Sequence, residues 1–169
     1  DFIRLASRAE AYFPLVIAAY LLGIMLQVLV ILNGFLFVRA LRRNQLEEVP
    51  VQWKETFHRI RASLNVSAKT VFKISRLAKV PLVTGYLKPI VLFPASLCSH
   101  LDMEQVEAIL IHELSHIRRN DYILNLIKTS IETLLFFNPF VWMAGRFIHI
   151  EREHACDDMV LKFTGKPVS

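Results

Sequence analysis

The sequence predicts a mainly α-helical chain with a small β-hairpin or sheet, anchored to a membrane by an N-terminal transmembrane helix. Three observations predict it. No charged residue occurs between Ala11 and Val38. A β-rich stretch around residues 70–93 is punctuated by Pro81, Pro89 and Pro94 and has helical patterns on both sides. The string His112-Glu113-Leu114-Ser115-His116 reads H-E-x-x-H inside an apolar-periodic run that begins near Asp102.

Composition sets the limits. The 169 residues make one domain plus attachments. The hydrophobic fraction of 54% and the mean hydropathy of +0.40 are both high for a soluble domain, which directs attention to a membrane span. The chain opens at Asp1 without a Met and stops at Ser169 without an evident end, so a piece of a longer protein is expected. The net charge is +5, but no recognition motif or basic surface interleaved with aromatics accompanies it. Positive charge beside a membrane span is the simpler account, and no nucleic-acid partner is expected. Cys98 and Cys156 have no framework spacing, which suits a reducing compartment.

In chain order, residues 1–10 form a polar flank and residues 11–38 the transmembrane helix. At about 1.5 Å per residue the uncharged run crosses a hydrocarbon core of about 30 Å. It is too long for a signal-peptide core and has no small-residue cleavage site. Pro14 is expected near the helix start, where a missing N–H does least harm. Arg39, Arg42 and Arg43 follow at once, and Lys54, Arg59, Arg61, Lys69 and Lys73 continue the basic character. The excess of positive charge assigns that end to the cytoplasm, so residues 39–169 are expected as a cytoplasmic domain of an integral cell-membrane protein.

Residues 49–66 carry Trp53, Phe57, Ile60 and Leu64 at three- and four-residue steps, the stripe of a core helix. Thr70 to Ser75 alternates as a strand does. Val80 to Phe93 reads as two short β-runs around Thr84-Gly85-Tyr86 and Lys88-Pro89. The prolines make at least one strand an edge, and an edge beside an active-site helix can hold an extended peptide. In the H-E-x-x-H run, Asp102 is the expected cap, Gln105 completes a capping box, and Val106, Ile109, Leu110 and Ile117 form the apolar stripe. A further apolar-periodic run follows Asp121 and ends at Phe137, because Asn138 precedes a proline. The last helix runs from about Pro139 to about Phe163 and stops near Gly165 and Pro167. Thr133 to Gly145 is strongly apolar but too short for a second span, so buried or membrane-surface helix ends are expected there.

Residues four apart on a helix share a face, so the two imidazoles can hold one metal ion. Glu113, next to the first imidazole, can reach a water on that metal. Two imidazoles, one carboxylate and an open position make a hydrolytic zinc site. A third protein ligand is needed, and Glu151-Arg152-Glu153-His154-Ala155-Cys156-Asp157-Asp158 offers Glu151, Glu153, His154, Cys156 and Asp157. Glu153 and Asp157 share a face: one can bind metal while the other accepts a hydrogen bond from a ligand imidazole. Glu151, two residues away, points roughly opposite to Glu153. Tyr122, His149 and His154 are all possible donors to a developing oxyanion, and nothing selects among them.

His112-Glu113-x-x-His116, Asp121, Phe137-Asn138-Pro139-x-x-Trp142 and Arg152-Glu153-x-Ala155-Cys156-Asp157 together resemble the BlaR/MecR-type membrane metallopeptidases, which are gluzincins. Gly85-x-x-Lys88-Pro89-x-x-x-x-Pro94 is similar too, and the resemblance covers roughly residues 70–165. It implies Zn2+ held by His112, His116 and Glu153, with Glu113 as general base and acid and Asp157 supporting a ligand. It also implies a gluzincin-like metallopeptidase domain on the cytoplasmic side, among further transmembrane segments of the same protein. The expected partners are membrane lipid and a protein or peptide substrate, with a transcriptional repressor as the candidate, cleaved in response to a signal. Self-cleavage is the variant of that reading. A housekeeping membrane zinc protease for quality control or processing shares the same site. So does a signalling module that keeps zinc without catalysis, although an intact Glu113 is not needed there. No Ser-x-x-Lys acylation motif of a penicillin-binding sensor occurs in these residues, so β-lactam sensing is not implied.

Overall fold

The computed structural model describes residues 2–85 and 88–165. Tyr86 of the expected turn and Pro167 beyond the last helix lie outside them. Helix α1 (Phe2–Arg43) is followed by strand β1 (Leu46–Glu47), helix α2 (Val51–Ser63) and strands β2 (Val71–Ser75), β3 (Leu82–Thr84) and β4 (Ile90–Pro94). A 3-10 turn at Ala95–Leu97 leads into helices α3 (Met103–Arg118), α4 (Asp121–Leu134) and α5 (Pro139–Thr164). The mainly helical class with a small sheet is the one the sequence predicts.

Helix α1 is longer than the uncharged run at both ends. Its Tyr12–Arg43 portion is, among the described residues, the helix long and apolar enough to cross a membrane, and none of its most apolar stretch is buried within the chain. Pro14 lies inside α1 and not in its first turn, which corrects the expected start. Residues 2–13 contain no Gly or Pro and include Ala6, Ala9 and Ala11, so the helix propagates on both sides of the single lost hydrogen bond. At the other end, Arg42 Nη2 donates to the Lys88 carbonyl at 3.1 Å and ties α1 to the loop before β4.

The sheet order is β1-β2-β4-β3. Strands β2 and β4 pair in parallel at its centre, while β1 and β3 pair antiparallel at its edges. The β3–β4 pair is the expected hairpin. The parallel pairing and the short β1 were not expected, because neither leaves a local pattern. Leu92, Val91 and Phe93 of β4 are fully buried, as a central strand's residues should be. Trp53, Phe57, Ile60 and Leu64 of the α2 region pack with Phe72, Ile74 and Phe93 of the sheet and with Val106, Leu110 and Leu114 of α3. That core holds α3 rigidly across the sheet.

Helix α3 starts where its capping chemistry says it should. The Gln105 backbone N–H donates to Asp102 Oδ1 at 2.8 Å, and the Asp102 N–H donates to Gln105 Oε1 at 3.1 Å. Helix α5 begins at Asn138, whose side chain accepts from the Phe140 N–H at 2.9 Å, with Pro139 in its first turn. It ends at Gly165, where φ is +69° and a residue without Cβ fits best. Thr133 to Gly145 is mostly exposed in the isolated chain, and its Gly145 end is buried.

The packing and the cap should separate in size. Leu114→Ala in the detergent-solubilised chain is expected to lose about 2–5 kcal/mol. Asp102→Ala should lose about 1 kcal/mol. Denaturant titration followed by circular dichroism checks the ranking.

Candidate metal centre

Helices α3 and α5 cross so that His112, His116, Glu153 and Asp157 meet. His112 and His116 are one turn apart with ring centroids separated by 5.0 Å. Asp157 Oδ1 lies 3.0 Å from His112 Nδ1, and Asp121 Oδ2 lies 2.8 Å from His116 Nδ1. A carboxylate at that distance accepts from N–H, so in the neutral form of each ring the proton belongs on Nδ1 and the Nε2 lone pair is left for a metal. Both Nε2 atoms face Glu153: His112 Nε2 is 3.4 Å from Oε2 and His116 Nε2 is 3.9 Å from Oε1.

These separations test whether a tetrahedral ion fits. Two donors each about 2.1 Å from one zinc stand about 3.4 Å apart. The 3.4 Å between His112 Nε2 and Glu153 Oε2 matches, and His116 Nε2 lies 3.9 Å from the other carboxylate oxygen, Oε1. Two neutral imidazoles and a carboxylate also suit zinc chemically.

Cys156 competes for the same position, because Sγ and one donor atom from each of His112 and His116 lie within 4.8 Å of one another. Its geometry is the poorer one. Sγ lies 3.3 Å from His116 Nδ1, the nitrogen that Asp121 already engages. Burial, and then the Asp121 charge, push the Cys156 thiol up to about 12, away from the thiolate that binds metals. Glu153 faces the free nitrogens and Cys156 does not.

The remaining candidates divide clearly. Glu151 and His154 are exposed on α5 and outside the cluster. His149 is one turn before Glu153, with Nδ1 3.6 Å from Oε1. His149 and Tyr122 line a cavity of about 530 Å³ together with His112, Glu113, His116 and Glu153, and His154 does not. Glu113 is about nine-tenths buried. Burial pushes its carboxyl up to about 7, with His112 opposing that shift and Glu153 adding to it. The opposite wall of the cavity is Leu82, Val83 and Thr84 of β3, an edge strand.

Asp121, which the motif pattern includes without giving it a role, gains one from its contacts. It is 1% exposed and stands between His116, Arg119 Nε at 3.5 Å and Arg152 Nε at 3.4 Å. The signal that could have found it is an acid five residues after the second histidine, just past the end of α3. Asn120, in the left-handed conformation at φ +56°, turns the chain there and brings the Asp121 carboxylate back under the ring.

A helix of membrane-crossing length joined to a helical domain with an imidazole–carboxylate cluster is the class that fold and site define. The chain belongs to the BlaR1 peptidase M56 family, which matches residues 4–167. It is similar to the regulatory protein BlaR1 of Bacillus licheniformis, with 26% identity over 149 residues that cover 88% of this chain and 25% of that protein. It is also similar to the methicillin resistance mecR1 proteins of Staphylococcus aureus and Staphylococcus epidermidis, with 28% identity over 86 residues, 51% of this chain and 15% of theirs. The chain thus spans a quarter or less of the length of these relatives.

Asp121→Asn is expected to weaken zinc binding about 10–100-fold, the effect of losing a partner that orients a ligand. Competition of the purified variant against a chromogenic chelator measures it, and unchanged affinity would remove Asp121 from the site.

Proposed function

We propose that this chain is the catalytic part of a membrane-anchored zinc metalloendopeptidase that cuts a cytoplasmic regulatory protein, or itself, in response to a signal. Residues 11–38 cross the membrane and residues 39–169 form the peptidase domain, on the cytoplasmic side by the charge of Arg39, Arg42 and Arg43. His112, His116 and Glu153 hold the zinc. Asp157 and Asp121 orient the two imidazoles, and Glu113 is the general base and acid. The observation that carries this reading is the pair of Nδ1-engaged imidazoles with both Nε2 atoms turned to one carboxylate, beside a buried glutamate.

Zinc in such a site supplies Lewis acidity toward a scissile carbonyl and a low pKa for a bound water. The chain's own residues do the rest. The β3 edge offers unpaired backbone groups to an extended peptide, which positions it over the cavity. Glu113 takes a proton from the attacking water and returns it to the departing amine nitrogen, so its carboxyl ends the cycle as it began. The relatives are a regulatory protein and resistance proteins by name, which supports a regulatory substrate in preference to general turnover.

Glu113→Gln should keep zinc and lose about 10²–10⁴-fold in peptide cleavage. Undiminished hydrolysis by the metal-replete variant refutes the assignment of the base. For the ligands, Glu153→Ala should lower the zinc content of the purified protein, while Glu151→Ala and Cys156→Ser should not. Metal analysis of the three variants decides, and loss of zinc in Cys156→Ser alone would move the third ligand to the thiol.

A further inference from the structure

The α4–α5 hairpin carries a large apolar surface that the domain core does not cover. Leu126, Leu134, Phe137, Phe140, Met143 and Phe147 are each between 52% and 71% exposed. No charged residue occurs from Thr133 to Gly145. A patch of this kind marks contact with a partner or a membrane.

Its position relative to α1 selects the occupant. Tyr20 Oη donates to the Leu134 carbonyl at 2.9 Å, and the Tyr20 ring stacks on Phe136 with centroids 5.9 Å apart. Phe136 lies so close to Gly23 that a Cβ there would collide with its ring. Tyr20 is 19 positions before Arg39, roughly 28 Å along the helix at about 1.5 Å per residue. The hairpin tip therefore meets α1 inside the uncharged run from Ala11 to Val38, away from both of its ends.

Apart from Arg146, which is exposed at the end of the uncharged stretch on α5, the polar groups near the tip fit an environment without water. Ser130 Oγ donates to the Leu126 carbonyl at 2.9 Å, Thr133 Oγ1 to the Thr129 carbonyl at 2.7 Å and Trp142 Nε1 to the Phe136 carbonyl at 2.8 Å. The last charges before the apolar tip on α4, Lys128 and Glu132, neutralise each other at 3.0 Å. Glu132 is tucked against Gly145, where a Cβ would collide with its Oε1. Internal satisfaction of polar groups is what hydrocarbon demands and bulk water does not.

We propose that the α4–α5 hairpin is a re-entrant membrane element whose tip inserts among lipid acyl chains beside α1. This rests on α1 crossing the bilayer, as in the function proposed above. Asp121, which holds His116, begins α4, and the 14 residues of that helix span about 21 Å. The hairpin thereby ties the His116 side of the cluster to an element seated in the membrane, about one α4 length from its tip.

Spin labelling tests it in the whole protein reconstituted in phosphatidylcholine–phosphatidylglycerol vesicles, in a Cys98→Ser background. Nitroxides go on Phe140→Cys and Leu126→Cys in the hairpin, on Leu29→Cys in α1, and on Val80→Cys as an aqueous reference. Power saturation against oxygen and against a water-soluble nickel chelate should show both hairpin labels favouring oxygen several-fold, like the α1 label and opposite to Val80→Cys. Hairpin labels that respond to nickel like the aqueous reference overturn the proposal. So do hairpin labels shielded from both reagents, which would mean that another protein segment covers them. In either case an oxygen-favouring Leu29→Cys leaves the anchor reading standing, whereas a nickel-favouring one removes the anchor and the proposal together.

Discussion

The constraint on which the rest of the structure depends is the crossing of α3 and α5. Every group in the candidate centre comes from those two helices or from the first residue of α4. Rigid elements and not loops carry the donors, and the Nδ1 contacts from Asp121 and Asp157 lock both ring orientations. A cluster of two imidazoles and several carboxylates is electrostatically awkward without a cation, and Glu113 already feels it: burial and the neighbouring Glu153 both favour its protonated form. A divalent ion would reverse that balance, drawing Glu113 back toward the ionised form in which it can accept a proton.

The apolar content of the chain is divided between two environments. One part is an ordinary core, with Phe57, Leu64, Val91, Leu110 and Leu114 essentially out of contact with solvent. Each such side chain contributes about 1.5–3 kcal/mol when fully buried. The other part, on α1 and the α4–α5 hairpin, is exposed in the isolated chain. The two meet at the basic end of α1, where Arg42 is bonded to the loop before β4. The sheet is therefore tied to α1, and the β3 edge strand lines the same cavity as the histidine–carboxylate cluster.

The particular motif Phe137-Asn138-Pro139-x-x-Trp142 acquires a physical reason from this arrangement. Asn138 caps α5, Pro139 prevents α4 from continuing, and Trp142 returns its indole N–H to the Phe136 carbonyl. Those are the means of making a tight helical turn with few loose polar groups. At Gly145 the Glu132 carboxylate lies where a Cβ would stand, so a side chain there would have to push that flexible end aside.

Much of this was legible in the residues alone, because the signals are local. A run of uncharged residues, a capping box, an apolar stripe at helical spacing and an asparagine–proline break act over one or two turns, and α1, α2, α3 and α5 follow from them. The separation of Glu153 from Glu151 was legible for the same reason, since helical periodicity alone puts them on different faces. What local pattern could not decide was anything that depends on which elements meet. The parallel β2–β4 pair joins segments whose own sequences carry no mark of the partner. The pairing of Asp121 with His116 depends on a left-handed turn at Asn120, and which imidazole nitrogens Glu153 and Cys156 each approach depends on how α5 packs on α3. Periodicity specifies the face of a helix on which a residue lies; only packing against the next helix specifies the atom it meets.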